Sequence, residues 1–190
     1  MRELTYYVAV SIDGYIAGPG GEFDRFLVDG DHAAAIWAKY PGTAPTALAD
    51  AAGLSVDGSP FDTVLMGWNT YAVGLPELPS PYRHLRQIVL TRGHDAPAGA
   101  DDVEFTDRNP VEVVRELKAE DGKGIWLCGG GALASTLREE IDRLALKRNP
   151  VDFGAGIPLF ASSDYAPTAF RATAVTPFES GVVLAEYVRA

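Results

Sequence analysis

The stretch Ile125-Trp126-Leu127-Cys128-Gly129-Gly130-Gly131-Ala132-Leu133-Ala134 decides the fold. Ile125 to Cys128 form an apolar run that stops at glycine, the pattern of a strand covered on both faces. Ala132 to Glu140 carry Leu133 and Leu137 at helical spacing and predict an amphipathic helix. The same order occurs upstream: Asp62 to Met66 reads as a second buried strand, and Gly67-Trp68-Asn69-Thr70-Tyr71 as a short helical start. Strand, glycine, helix, used twice, is the signature of a sheet with parallel strands and crossover helices.

Leu4 to Val10 is almost continuously apolar and predicts a central strand, with Gln87 to Leu90 and Val103 to Phe105 as further strands. Asn109-Pro110-Val111-Glu112 opens a helix: Asn at the cap, Pro at the first helical position, and Glu112 completing a capping box. Asp31 to Tyr40 predicts another helix, begun by Asp29 or Asp31 and stopped by Pro41-Gly42, while residues 43 to 60 show no clear pattern. Two long β-rich runs, Thr168 to Phe178 and Val182 to Val188, flank Glu179-Ser180-Gly181, which reads as a hairpin turn. The expected fold class is therefore α/β: a mixed, mostly parallel sheet with helices on both faces, closed by a C-terminal antiparallel hairpin. At 190 residues it reads as a single domain, 1–190.

Composition narrows the function. Twenty-six acidic against 16 basic side chains give a net charge of -10, which argues against nucleic-acid partners and anionic membrane surfaces. The apolar run that follows Met1-Arg2-Glu3 ends at Val10, too short for a signal segment or a membrane span, so a cytoplasmic location is expected. Cys128 has no second cysteine to pair with, and His32, His84 and His94 are scattered, so no zinc spacing exists and no metal site is expected.

Gly129 to Ala134 satisfies the GxGxxA pattern directly after a strand, where backbone N–H groups at a helix start could hold a pyrophosphate. A turn that merely lets helix and sheet pack closely would read the same way. Gly67 to Thr70 is a second candidate, with Thr70 supplying a hydroxyl; an ordinary helix start packed by Trp68 is its alternative. Two such sites in one small α/β domain suggest the two phosphates of a dinucleotide.

Taken together, Ala9-Val10-Ser11-Ile12-Asp13-Gly14-Tyr15-Ile16-Ala17, Val64-Leu65-Met66-Gly67-Trp68-Asn69-Thr70, Ile88-Val89-Leu90-Thr91-Arg92, Trp126 to Gly131 and Gly156-Ile157-Pro158-Leu159-Phe160 resemble, in order and spacing, the dihydrofolate reductase superfamily. The resemblance is closer to the reductase domain of the riboflavin-biosynthesis deaminase-reductases. It implies an NADPH-dependent reductase in which Gly67, Trp68, Asn69 and Thr70 lie on the adenosine-phosphate and pyrophosphate side. Thr91 and Arg92 would sit beside the adenine ribose, and Gly129, Gly130, Gly131, Ala132 and Leu133 under the pyrophosphate. Ala9, Ile16 and Cys128 would line the nicotinamide, and the loop 14 to 21 would close over the site. A homodimer is common in that branch.

The chain departs from the pattern in five respects. It holds no Cys/His deaminase motif, so a lone reductase domain is expected. Tyr7 stands where the riboflavin enzymes usually carry lysine, and Tyr71-Ala72-Val73-Gly74 stands where they carry Asp-Asp-Pro. Trp68 takes a position that commonly supplies a basic side chain, which leaves Arg92 to meet the 2′-phosphate. Glu22-Phe23-Asp24-Arg25-Phe26 gives no clean match to the folate enzyme's carboxylate; Asp24 is nevertheless the expected acid or substrate anchor, against the alternative of a solvated acid or helix cap.

The implied reaction is hydride transfer to a C=N bond of a small pyrimidine or pteridine, most like 5-amino-6-(5-phosphoribosylamino)uracil reduction. A dihydrofolate or pterin reductase, a non-catalytic NADPH-binding protein and a true Rossmann dehydrogenase built around Gly129 are the competing readings. Asp13 is read as a turn residue, and the histidines as surface residues.

Overall fold

The computed structural model describes residues 1–161 and 165–190. Strands β1 (Leu4–Val10) and β2 (Tyr15–Ala17) precede helices α1 (Asp31–Lys39) and α2 (Thr46–Ala51). β3 (Phe61–Gly67) runs into α3 (Trp68–Ala72), and β4 (Arg86–Leu90) and β5 (Val103–Thr106) lead to α4 (Pro110–Ala119). β6 (Gly124–Gly129) runs into α5 (Gly131–Thr136), followed by β7 (Arg143–Arg148), β8 (Ile157–Pro158), β9 (Phe170–Pro177) and β10 (Val183–Arg189).

Eight strands form one sheet in the order β5-β4-β3-β6-β1-β7-β10-β9. The neighbours from β5 to β7 are all parallel, and β10 then pairs antiparallel with both β7 and β9. The short strands β2 and β8 pair separately and antiparallel. This is the mixed, mostly parallel sheet with a terminal hairpin that the strand-glycine-helix pattern predicts.

Both faces are covered, which is why the central strands read as unbroken apolar runs. On one face Tyr6, Leu65, Ile125 and Leu127 pack under Val114 of α4 and Leu137 beyond α5. On the other, Tyr7, Val64, Met66 and Trp126 pack under Ile36 of α1 and Tyr71 of α3. Leu127 is fully buried between β1 and β3, so Leu127→Ala would cost about 2–5 kcal/mol.

Local signals hold where the chain meets no competing demand. Asn109 caps α4 by accepting from the Val111 amide, with Pro110 at the first helical position, but among the described residues the Asn109 amide makes no bond to Glu112, so the expected capping box is not closed. The helix expected over 132–140 is shorter: α5 ends at Thr136, and Arg138–Glu140 form a single 3-10 turn. Leu137 and Ile141 are both fully buried beneath the sheet, and the chain must turn between them to enter β7. Neither Asp29 nor Asp31 caps α1; Gly30 occupies that position. The Asp31 carboxylate instead accepts from the Glu179 and Ser180 amides and ties α1 to the β9–β10 turn. No helix among the described residues is long and apolar enough to cross a membrane.

Candidate active site

The carboxyl ends of β1, β3, β4 and β6 open into a cleft of about 1160 Å³, the place where parallel sheets commonly bind ligands. That exceeds the roughly 300–1,000 Å³ usual for a small-molecule pocket and leaves room for a cofactor and a substrate together. Every residue named above as cofactor-binding lies on its wall.

Gly67 ends β3 and Gly130 follows β6, its neighbour in the sheet. A Cβ on Gly67 would meet nothing within 4 Å, and one on Gly130 would meet only Thr70 Oγ1 at 3.6 Å and Ile16 Cδ1 at 3.8 Å. Both backbones therefore face open space. Gly129 has φ 137°, a conformation that side chains resist, and the Gly129–Gly130 peptide is cis. Gly131 behaves differently: a Cβ there would lie 2.2 Å from the Pro158 carbonyl oxygen, so this glycine serves packing against the β8 segment. Asn69 and Thr70 come from α3, Ala132 and Leu133 from α5. These helices are only five and six residues long, so the cradle rests on open backbone rather than on a helix dipole.

At the β4 end, Thr91 and Arg92 border the cleft. Trp68 stacks on His94, with ring centroids 4.0 Å apart and planes 10° from parallel, and His94 Nδ1 lies 3.2 Å from Thr91 Oγ1. Arg92 is exposed and has no carboxylate partner among the described residues, whereas Arg108 beside it is engaged by Glu116.

At the β1 end the wall is aromatic. Ala9 and Cys128 adjoin Tyr7, Trp126 and Tyr82, with Tyr82 set edge-on to Trp126 at 5.0 Å. The Tyr82 hydroxyl and Cys128 Sγ are 3.9 Å apart. Both side chains keep some surface open to the cleft, yet desolvation dominates: it pushes the Cys128 thiol up to about 11 and the Tyr82 phenol well above its ordinary value. The Tyr82 hydrogen bond and the Lys147 charge offset part of the rise at Cys128. Both groups are neutral at pH 7, so Cys128 is not a thiolate nucleophile.

Lys147, Tyr82, Phe23 and Phe26 line the cleft without having been singled out from the sequence. Lys147 Nζ stands 4.5 Å from the centre of the Tyr7 ring. It reaches the site because β7 lies beside β1 with Lys147 opposite Ala9. No local sequence signal announces that register.

Asp24 is not brought to the wall. Residues 23–26 turn with the Phe26 amide bonded to the Phe23 carbonyl, which puts the two phenylalanines against the cleft and the polar pair between them in solvent. Asp24 is 73% exposed and lies 3.6 Å from Arg25. The loop 14 to 21 does border the cleft through Ile16, Ala17 and Pro19–Gly21, and it contains β2. Of the histidines, His94 is exposed as expected and His84 half-buried, but His32 is buried because its ring bridges Ser180 Oγ and the Leu27 carbonyl. Among the described residues no three of His, Cys, Asp and Glu converge as a metal site.

The chain is similar in sequence and fold to known proteins. The RibD C-terminal domain family matches residues 2–184. The uncharacterized Bacillus subtilis (strain 168) protein YwjB is 30% identical over 195 residues, covering 100% of this chain and 99% of its own. YyaP of the same organism is 27% identical over 172 residues, covering 84% and 80%. Among solved structures, a Shewanella sp. PV-4 protein named for riboflavin biosynthesis superposes with a TM-score of 0.71 at 23% identity, over 100% of this chain and 99% of that one. The Thermotoga maritima diaminohydroxyphosphoribosylaminopyrimidine deaminase/5-amino-6-(5-phosphoribosylamino)uracil reductase gives 0.64 at 18% identity; the match covers 100% of this chain and 57% of that longer one. With the sheet order and the glycine turn after β6 in place, the match over residues 2–184 makes this chain a member of the RibD C-terminal domain family.

Proposed function

We propose that this chain is an NADPH-dependent reductase of a C=N bond in a pyrimidine or pteridine, of the 5-amino-6-(5-phosphoribosylamino)uracil reductase kind, with residues 1–190 as its one domain. The observation that carries this reading is the pair of open glycines, Gly67 and Gly130, on adjacent strand ends, where any Cβ would project into the cleft. Backbone free to approach a ligand on two sides suits a pyrophosphate.

In this reading Gly67–Thr70, Gly129, Gly130, Ala132 and Leu133 hold the pyrophosphate while Gly131 packs their turn against β8, Thr91 and Arg92 hold the adenine ribose with its phosphate, and Ala9, Ile16 and Cys128 the nicotinamide. When bound, the reduced nicotinamide supplies the hydride. The chain's own side chains hold the reactants in line and keep water out: Ile16, Phe23 and Phe26 form an apolar rim, and the half-buried Tyr82, set edge-on against the buried Trp126, closes the aromatic end against a planar ring. The Tyr82 hydroxyl, kept protonated by burial, stays available as a hydrogen-bond donor.

The test is NADPH consumption by purified protein offered ribosylaminopyrimidines, dihydrofolate and oxidised pterins in parallel. Turnover is expected with a ribosylaminopyrimidine. Saturable NADPH binding with no turnover on any of them would replace the reductase by a non-catalytic dinucleotide-binding protein.

A further inference from the structure

Lys147 is the one cation among the described residues lining the aromatic end of the cleft; the other two lining cations, Arg92 and Arg108, belong to the β4–β5 end. Four strand positions separate β4 from β7, roughly 19 Å at the usual interstrand spacing of about 4.8 Å. The two cationic regions thus lie at opposite sides of the cleft.

The surroundings of Lys147 are unusual for a charged group in this molecule. Arg2, Lys39, Lys118 and Arg143 each have a carboxylate within 4.0 Å, whereas Lys147 has none among the described residues and its Nζ makes no hydrogen bond to them. Glu186 on β10, which shares its sheet face with Tyr7 and Ala145, is taken by Tyr40 and Lys39 instead. Tyr82 and Cys128 face the same space as neutral groups, so neither supplies a countercharge. A half-buried ammonium without a partner is costly, and its contact with the Tyr7 ring offsets only part of that cost. The chain has a surplus of carboxylates, 26 acidic against 16 basic groups, and still places none here.

We propose that Lys147 anchors an anionic oxygen carried by the substrate, so that the site selects a flat heterocycle bearing a negatively charged group. This rests on reading the cleft as the reductase site. The aromatic end of the cleft, where half-buried Tyr82 abuts Trp126, takes the ring, and the ammonium donates to the anion. A carboxylate or deprotonated oxygen on the ring and a phosphate on its substituent present the same chemistry to Nζ.

The test titrates NADP⁺-saturated protein by calorimetry with orotate, a pyrimidine carboxylate, with uracil, its uncharged counterpart, and with inorganic phosphate. Wild type should bind orotate at least about 10-fold more tightly than uracil, the lower end expected for one charge-assisted hydrogen bond. Lys147→Met should abolish that preference while leaving NADP⁺ and uracil binding in place, and Lys147→Arg should retain it. Displacement of orotate by phosphate assigns the anion to a substituent phosphate, and no displacement assigns it to the ring; both support the anchor. Equal binding of orotate and uracil by wild type, no saturable binding of any of the three, or a preference that survives Lys147→Met overturns it. Repeating the titration without cofactor separates the two readings: a Lys147-dependent orotate preference in a protein that binds no NADPH keeps the anchor and removes the reductase.

Discussion

Gly131 lies so close under Pro158 that a Cβ on it would stand 2.2 Å from the Pro158 carbonyl oxygen, while the same atom on Gly130, one residue earlier, would meet nothing nearer than 3.6 Å. Adjacent glycines of one turn thus serve different ends. Gly131→Ala should destabilise the fold by about 1–3 kcal/mol, because the β8 segment must shift to admit the methyl group. Gly130 has φ -99° and ψ -167°, which alanine adopts freely, so Gly130→Ala should melt near wild type yet bind NADPH more weakly. Thermal melts paired with cofactor titrations read both. Equal stability losses, or normal NADPH affinity in Gly130→Ala, would count against the division.

Trp68 and Trp126 line the cleft, whereas Trp37 lies elsewhere with its indole N–H donated to the Ser55 carbonyl. NADPH should therefore quench tryptophan emission saturably, and Trp37→Phe should keep nearly all of the quenchable signal. If millimolar NADPH gives no saturable quenching and calorimetry agrees, the cofactor assignment fails.

Arg92 is exposed at the end of β4 without a carboxylate partner among the described residues, and a guanidinium meets phosphate through paired donors. One charge-assisted bond of about 1.5–3 kcal/mol corresponds to a preference of about 10- to 150-fold for NADPH over NADH. Arg92→Ala should remove most of that preference by weakening NADPH alone. The wild-type preference should shrink as the Debye length falls from about 10 Å at 0.1 M salt to about 3 Å at 1 M. Equal losses for both cofactors would move 2′-phosphate recognition to another residue.

Asp24 points into solvent beside Arg25, so Asp24→Asn should leave NADPH affinity and turnover close to wild type. A general acid at this position would instead lose about 10² to 10⁴ in rate. Steady-state kinetics across pH decide between them; a loss of that size would require the 19–28 segment to move Asp24 inward.

Asp13 joins the first loop to the segment before β8. Desolvation works to raise its carboxyl, but hydrogen bonds from Ser11 Oγ, from the Phe153 and Gly154 amides and from the Asp152 carboxyl outweigh it and hold the group below the usual carboxylate range, while the Asp13 charge in turn raises Asp152 and offsets part of the gain. A depressed folded value stabilises the fold above the unfolded pKa of about 3.9, and that contribution disappears as pH falls through the folded value. Asp13→Asn should accordingly lower Tm at neutral pH, with the gap to wild type closing below about pH 4. A gap that stays constant down through the acid range would show that the carboxylate charge contributes nothing.

The fold was legible because its signals are local and mutually consistent. Ile125–Cys128 and Asp62–Met66 are apolar throughout and end in glycine, and both became central strands. Asn109-Pro110 marks the α4 start by chemistry that needs no distant partner. Where local preference met tertiary demand, the latter prevailed: Asp31 has the chemistry of a cap but bonds the β9–β10 turn, and α5 stops early so that Leu137 and Ile141 can both be buried. The glycine turns that border the cleft were legible for the same reason, since a glycine at a strand end is written in consecutive residues.

The sequence by itself determined the alternation of buried strands with glycine-led helices, the terminal hairpin and the glycine turns on which the cleft is built, because each depends on residues within a few positions of one another. Only the tertiary structure decided which glycine opens to the cleft and which packs under Pro158, that Asp24 turns away, and that Lys147 stands over Tyr7. Those outcomes depend on which strands lie side by side and in what register. Lys147 reaches the site through the pairing of β7 with β1, across more than a hundred residues of chain, and side-chain direction there follows from alignment rather than from any neighbour in sequence.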